Sequence, residues 1–118
     1  MDDLVRRLKG ELDKIPKSVL EKINNFAVEN NKRENPKIQA AYFHPDPESG
    51  EGTIYLITEP HEYSDELEDK VISLSLDVLK RDNLDVNIME WPVGYDGIED
   101  YGFFKELCIF DYMEAKAA

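Results

Sequence analysis

The chain has 118 residues, of which 42% are apolar, so it is long enough to bury a core and is unlike a disordered protein. A single cysteine, Cys108, excludes an internal disulfide framework, and no apolar run approaches the roughly 20 residues of a membrane helix. The N-terminus lacks the apolar segment of a signal peptide. We therefore expect one cytoplasmic domain over residues 1–118 that does not bind membranes.

The net charge of −12 is unevenly distributed. Residues 1–37 contain nine Lys/Arg and seven Asp/Glu, a net of +2, whereas residues 38–118 contain five and nineteen, a net of −14. A surface this negative repels phosphate backbones, so we expect no nucleic-acid partner. It attracts basic proteins and speeds their association. The alternative is that the acidity only keeps a small protein in solution.

Apolar residues at helical spacing predict two amphipathic helices within residues 1–37, packed on the rest of the domain. Pro16 ends the first helix, because the residue before a proline is pushed out of the α region. Ser18 and Glu21 match a capping box and predict the start of the second helix, which ends in the polar run Asn30–Pro36. These two helices are also a candidate surface for a homodimer.

Two runs rich in β-branched and aromatic residues follow, Ile38–Phe43 and Thr53–Thr58. Prolines and glycines between them remove backbone donors and allow turns, so neither run continues as a helix or strand. The pattern predicts a long-looped β-hairpin spanning Ile38–Pro60.

The segment His61–Arg81 predicts a third helix, with Ser64 as its N-cap and Asn83 as its stop. Within it, Ile72–Val78 also alternates apolar and polar residues, which leaves a strand as the alternative. A half-exposed third strand is predicted from Leu84, Val86 and Ile88, closed by Trp91-Pro92.

Val93–Asp100 contains two glycines and is interpreted as a loop. The last segment, Tyr101–Ala118, is ambiguous, since Leu107–Met113 fits a short strand while the alanine-rich end favours a helix. The predicted fold is α+β: a three-stranded sheet covered by about four helices in the order ααββαβα.

No sequence motif of a hydrolase, a nucleotide-binding loop or a zinc site is present, so we expect no catalytic residues, no metal and no cofactor. His44 and His61 fall at opposite ends of the hairpin and are interpreted as surface histidines. Cys108 lies in an apolar run, which favours an inert core thiol. The loop acids could bind a divalent cation, but a solvated loop is the default; they are Asp46, Glu48 and Glu51.

The order of elements around the hairpin resembles the minimal nucleotidyltransferase fold of the DNA polymerase β superfamily. Tyr42-Phe43-His44 stands at the family's Gly-Ser turn, Glu51-Gly52-Thr53 at its Asp-x-Asp pair, and Leu84-Asp85-Val86 at its third acid. The Gly-Ser is missing and Thr53 replaces the second acid. The resemblance therefore implies an inactive relative that binds a metal-nucleotide at the hairpin, which is the alternative function.

Aromatic and acidic residues are mixed along the segment after the third strand, and such residues are common in surfaces that bind basic proteins. Phe103 and Phe104 are assigned to the core, and the alternative for Trp91 is that it caps the sheet edge. The main hypothesis is a non-enzymatic binding protein for a basic partner, such as an inhibitor or an immunity or antitoxin protein. The predicted binding residues are Trp91, Tyr95, Asp96, Glu99 and Asp100.

Overall fold

The computed structural model describes residues 2–45, 52–62, 64–101 and 103–117. Within these ranges it is a mixed α+β structure with five α-helices, a short 3₁₀-helix and one four-stranded sheet. The α+β class is confirmed, whereas three strands and four helices was an undercount. The elements are α1 Asp2–Asp13, α2 Lys17–Asn31, β1 Ile38–Pro45, β2 Gly52–Thr58, α3 Asp65–Arg81, β3 Asn87–Trp91, α4 Gly94–Tyr101, the 3₁₀-helix Lys105–Leu107, β4 Cys108–Asp111 and α5 Tyr112–Ala117.

The two N-terminal helices form as expected, but α2 begins differently. Pro16 occupies the N-cap position, and its carbonyl accepts from the N–H groups of Val19 and Leu20 at 3.0 and 3.2 Å. The predicted capping box is therefore wrong, because the helix starts one residue before Ser18. The Ser18 hydroxyl instead donates to Oδ1 of Asp82, at 2.7 Å. α2 contacts β1 and β4, and the assignment of residues 1–118 to one domain stays a prediction.

The sheet has the strand order β3-β2-β1-β4. The predicted hairpin is confirmed: β1 pairs antiparallel with β2, with Phe43 opposite Ile54. β4 also pairs antiparallel with β1, on its other edge. β2 and β3 are parallel, with Ile54 opposite Ile88. Parallel neighbours need a crossover connection, and α3 supplies it.

α3 is a helix throughout, so the strand alternative for Ile72–Val78 is wrong. The Ser64 hydroxyl accepts from the N–H of Leu67 at 3.3 Å, as the N-cap prediction requires. Asn83 follows the helix with a φ of +51°, in the left-handed region that asparagine tolerates, and the predicted stop is confirmed. Four residues on one side are buried: Leu67, Val71, Leu74 and Val78.

The C-terminal third differs most from the expectations. The third strand begins at Asn87, later than predicted, and runs to Trp91. The interpretation of Val93–Asp100 as a loop is wrong, because α4 covers most of this segment. In the ambiguous segment Tyr101–Ala118, β4 lies within Leu107–Met113, as the strand alternative predicted, and the alanine-rich end forms α5. The local pattern left strand and helix open here, and the antiparallel pairing of β4 with β1 decides for the strand.

Glycine is the reason that α4 was missed. Gly94 has a φ of +67°, and a Cβ there would lie 3.2 Å from Cδ of Pro60. A Cβ on Gly97 would lie 2.3 Å from Cβ of Val93. Both glycines are buried inside α4 without interrupting it: Gly94 leaves room for Pro60, and Gly97 leaves room for Val93, one turn earlier.

The two faces of the sheet carry different residues. The helix-covered face, packed against α1, α2 and α3, includes Ile38, Ala41, Phe43, Ile54, Leu56, Ile88 and Phe110. The aromatic face, packed against α4 and Phe103, includes Ala40, Tyr42, Tyr55, Ile57, Trp91 and Cys108. Neighbouring strand residues alternate between these faces, apart from shifts in the pairing of β1. No helix within the described ranges has both the length and the apolar character to cross a bilayer.

Candidate protein-binding site

A cluster of aromatic rings covers the aromatic face. Tyr42 and Phe103 stack with their centroids 5.1 Å apart. Tyr55 meets Phe103 edge-on at 5.6 Å and lies 5.0 Å from Trp91. Such tilted and edge-to-face pairs are favourable beyond the area that they bury. The cluster comes from β1, β2, β3 and the segment after α4, so only the folded sheet assembles it.

Trp91 extends this cluster to the surface. It is half-buried at the end of β3, and its ring centroid lies 4.4 Å from that of Tyr101, the last residue of α4. Tyr101 is 58% exposed. A cleft of about 170 Å³ opens beside these two rings. It is lined by Phe43, His44, Tyr55, Trp91, Tyr101, Phe103, Phe104 and Leu107.

The three predicted acids share the outward side of α4. Asp96, Glu99 and Asp100 are all exposed, and their spacing of three and four residues places them on one helical face. Among the described residues, none of them forms a salt bridge. The result is a concentrated negative patch, which we call the acidic face of α4, next to the cleft.

Tyr95 is directed elsewhere. Its hydroxyl donates to the backbone carbonyl of Gln39 at 3.1 Å, which joins α4 to β1. Burial, followed by the negative charge of Asp111, raises the pKa of Tyr95. The side chain thus holds α4 in place, and it is not grouped with the acids on the outward face.

Two exposed aromatic residues at the cleft, Tyr101 and Phe104, were not among the predicted binding residues. Phe104, assigned to the core, is 46% exposed, so that assignment is wrong. Phe103 is half-buried in the aromatic cluster, which agrees in part with its assignment to the core. Tyr101 is the second of these exposed rings, at 58% exposure. The signal that could have identified the two exposed rings is their position just after the acidic residues Glu99 and Asp100 in the sequence.

Titrating groups under the aromatic face are held in their neutral forms. Burial is the main cause that raises the pKa of Cys108, and its thiol donates to the carbonyl of Phe110 at 3.3 Å. Burial also raises the pKa of Tyr42, and the neighbouring Cys108 adds to this effect. A thiol that stays protonated is a poor nucleophile, which is the chemistry expected of a packing cysteine.

His61 is not the surface histidine that was expected. Its Nε2 contacts Oε1 of Glu90, and the two side chains are only 13% and 18% exposed. They lie at a groove of about 500 Å³ between α3 and β3, which Glu68 also lines. His44, in contrast, is exposed at the end of β1 and makes an edge contact with Tyr55.

The metal-nucleotide alternative stays a prediction. Glu51 and the other loop acids, Asp46 and Glu48, lie outside the described residues. Asp85 is exposed in the segment that precedes β3. In the part of the chain that the structure describes, no group of three His, Cys, Asp or Glu side chains is placed to hold a metal ion.

Comparison with protein-family models, with curated proteins and with solved structures finds no match to this chain. The candidate site therefore rests on geometry and charge alone.

Proposed function

We propose that this chain is a non-enzymatic, cytoplasmic binding protein that engages a basic protein partner. The observation that carries the proposal is the juxtaposition of the acidic face of α4 with the aromatic cleft. Three exposed carboxylates without an ion-pair partner among the described residues lie on α4, and Tyr101, the last residue of that helix, lines a cleft with mainly aromatic walls. The proposal involves no nucleic acid, membrane, metal or cofactor.

The acidic face would attract and orient the partner. Like charges at a spacing of three or four residues on a helix repel one another, so these carboxylates destabilise the free helix slightly. A cation placed between them removes that repulsion. The surrounding charge acts in the same direction, because residues 38–118 carry a net of −14. Complementary charge chiefly accelerates association and selects the partner.

The aromatic cleft would supply the apolar part of the contact. An arginine or lysine side chain that enters it would lie over the rings of Trp91 and Tyr101, within the roughly 6 Å at which a cation is attracted to an aromatic face. Tyr101 and Phe104, at 58% and 46% exposure, have surface left to bury. Aromatic residues of this kind are the common anchors of protein interfaces.

An inhibitory role is the form of binding that this chemistry suits best. Enzymes that act on nucleic acids hold phosphates with clustered basic side chains. A helix that presents several carboxylates at close spacing can occupy such a cluster in place of the phosphates. Inhibitors of nucleases, such as immunity or antitoxin proteins, often work on this principle, and the likeness is one of function and not of sequence.

The test is affinity capture from native lysate at low and at high salt, with partners identified by mass spectrometry. The wild-type chain is compared with the triple variant Asp96→Asn, Glu99→Gln, Asp100→Asn. The matched control removes the same charge from exposed positions of the N-terminal third, with Asp13→Asn, Glu21→Gln and Glu34→Gln. We expect a basic protein that the control retains, that the site variant loses, and that salt releases.

Two outcomes would contradict the proposal. If both triple variants lose the partner equally, net charge and not the acidic face of α4 is responsible. If no basic protein is captured at either salt concentration, the partner hypothesis is wrong. A further variant, Tyr101→Ala with Phe104→Ala, separates the two parts of the site. It should accelerate dissociation, whereas the loss of acids should mainly slow association.

A further inference from the structure

The outward side of α3 carries an apolar stripe. Ile72, Leu76 and Leu79 are 51%, 47% and 46% exposed. Their spacing of four and three residues places them on one face, opposite the buried face of the same helix. Scattered exposed leucines are ordinary, but three aligned on a 17-residue helix form a continuous apolar surface. All three side chains remain about half exposed, and Ile72 also lines the groove between α3 and β3.

Charged residues flank this stripe asymmetrically. The N-terminal part of the helix is acidic, and its last turn is basic. On the outward side the relevant pair is Asp69 and Lys80, both exposed and on the same flank of the stripe. Neither forms a salt bridge among the described residues, whereas Arg81 is already paired with Asp77 at 2.9 Å. One helix face thus combines an apolar centre with opposite charges at its two ends.

We propose that a second copy of this chain covers the stripe, through antiparallel packing of α3 on α3 about a two-fold axis near Leu76. In this arrangement Ile72 meets Leu79 of the second copy, and the two Leu76 side chains meet at the axis. In an antiparallel two-fold pair the same flank of both helices comes together. Asp69 of each copy therefore faces Lys80 of the other, which gives two equivalent contacts. A parallel arrangement would instead place like charges together.

Charge complementarity favours a second copy over a uniformly basic partner. A basic helix would match the acidic end of α3 but would be repelled at Lys80. The antiparallel copy matches both ends at once. The net charge of −12 per chain opposes self-association. At physiological salt, however, charges more than about 8 Å apart are largely screened, which leaves the contacts at the stripe to decide.

The experiment is sedimentation equilibrium of the purified chain at physiological salt over a wide concentration range. We expect a reversible monomer–dimer equilibrium for the wild-type chain. Leu76→Asp places two carboxylates at the axis, and it should raise the dissociation constant more than about tenfold. Because Leu76 is 47% exposed, the variant should fold, and its circular dichroism should match that of the wild-type chain. Leu4→Asp is the control, since Leu4 is similarly exposed, at 44%, on α1.

A charge-exchange pair tests the orientation of the helices. Lys80→Glu turns both contacts with Asp69 from attractive to repulsive. Each exposed ion pair contributes little alone, so the two changes together should weaken the dimer only about tenfold. Adding Asp69→Lys to Lys80→Glu restores opposite charges and should recover the affinity to within about twofold.

Three results would overturn the inference. A wild-type chain that stays monomeric at every concentration has no second copy on this face. A dimer that persists unchanged in Leu76→Asp, or that is lost in Leu4→Asp, uses another surface. A double charge exchange that fails to recover the affinity lost in Lys80→Glu contradicts the antiparallel arrangement. The acidic face of α4 lies outside this surface, so partner capture there should be unchanged in Leu76→Asp.

Discussion

The two faces of the sheet are covered to very different extents. On the helix-covered face, three helices bury aliphatic side chains that are almost inaccessible, such as Ile54 and Leu56. On the aromatic face, one eight-residue helix lies over larger side chains, several of which remain partly exposed. Complete burial of small, well-packed residues stabilises a fold. Partial burial of aromatic rings leaves surface on which a partner can still gain by binding.

Under the proposed function, this difference separates stability from recognition within one sheet. The helix-covered face has the features of a core, and the aromatic face has those of an interface that is half complete. We therefore expect substitutions on the first face to change the free energy of unfolding. Substitutions at the cleft of the second should leave folding almost unchanged and alter partner binding.

The largest expected effect is that of Leu56→Ala on the helix-covered face. Leu56 is fully buried in the centre of β2, so its truncation should cost about 3 kcal/mol of stability, from lost burial and the cavity left behind. The matched substitution on the other face is Phe104→Ala at the rim of the cleft, which should cost less than about 0.5 kcal/mol. Urea unfolding followed by circular dichroism measures both. Equal losses for the two variants would show that the faces do not differ in this way.

The close packing at Gly97 of α4 is the next point to test. Gly97→Ala would place a Cβ 2.3 Å from Cβ of Val93, so the helix must shift, at a cost of about 1–3 kcal/mol. Gly10 in α1 is the control, because nothing lies within 4 Å of its added Cβ. There, alanine should stabilise the helix by about 0.5–1 kcal/mol. Thermal unfolding of both variants gives the comparison, and a neutral Gly97→Ala would mean that Val93 can move aside without cost to the fold.

The cap of α3 gives a smaller effect. Ser64→Ala removes the acceptor for the N–H of Leu67 at the start of the helix, and it should cost about 1 kcal/mol. Ser73 lies exposed in the same helix, so Ser73→Ala should be neutral or stabilising by about 0.5 kcal/mol or less. Chemical denaturation distinguishes the two. If both serines behave alike, the cap contributes nothing to this helix.

The helix-covered face was largely predictable from the sequence, and the aromatic face was not. The hairpin and α3 could be predicted from local sequence patterns, namely the β-branched runs of β1 and β2 and the cap at Ser64. The local pattern of β4 left strand and helix open, and pairing with β1 decides for the strand. α4 was interpreted as a loop because it contains two glycines, which in the structure leave room for Pro60 and Val93. The acids at Asp96, Glu99 and Asp100 could be chosen from composition. The inward direction of the Tyr95 hydroxyl depends on Gln39, 56 residues away.

The smallest expected effect on stability concerns the polar edge of the helix-covered face, where side chains of α2 contact acids at the end of α3. Lys22 lies 2.5 Å from Oδ2 of Asp82 and 2.9 Å from Asp77, and Ser18 also donates to Asp82. The hydrogen bond from Lys22, then that from Ser18, lowers the pKa of Asp82 below its ordinary value. Protonation of Asp82 in the folded chain therefore requires more acid than in the unfolded chain.

This direction fixes the sign of the pH dependence. A carboxyl with a lowered folded pKa stabilises the fold above its unfolded pKa of about 3.9, and the contribution is lost as the pH falls through the folded pKa. Lys22→Met should therefore reduce stability at pH 7 by less than Ser64→Ala does, and the difference from wild type should shrink as the pH falls below about 4. Lys9→Met, at an exposed lysine of α1 without a salt bridge among the described residues, is the control. Urea unfolding at pH 7 and at pH 2.5 measures the loss of stability in Lys22→Met relative to wild type. A loss that is the same at both pH values would mean that Lys22 contributes by packing and not by charge. The edge of the helix-covered face would then be held by apolar contacts, as its centre is.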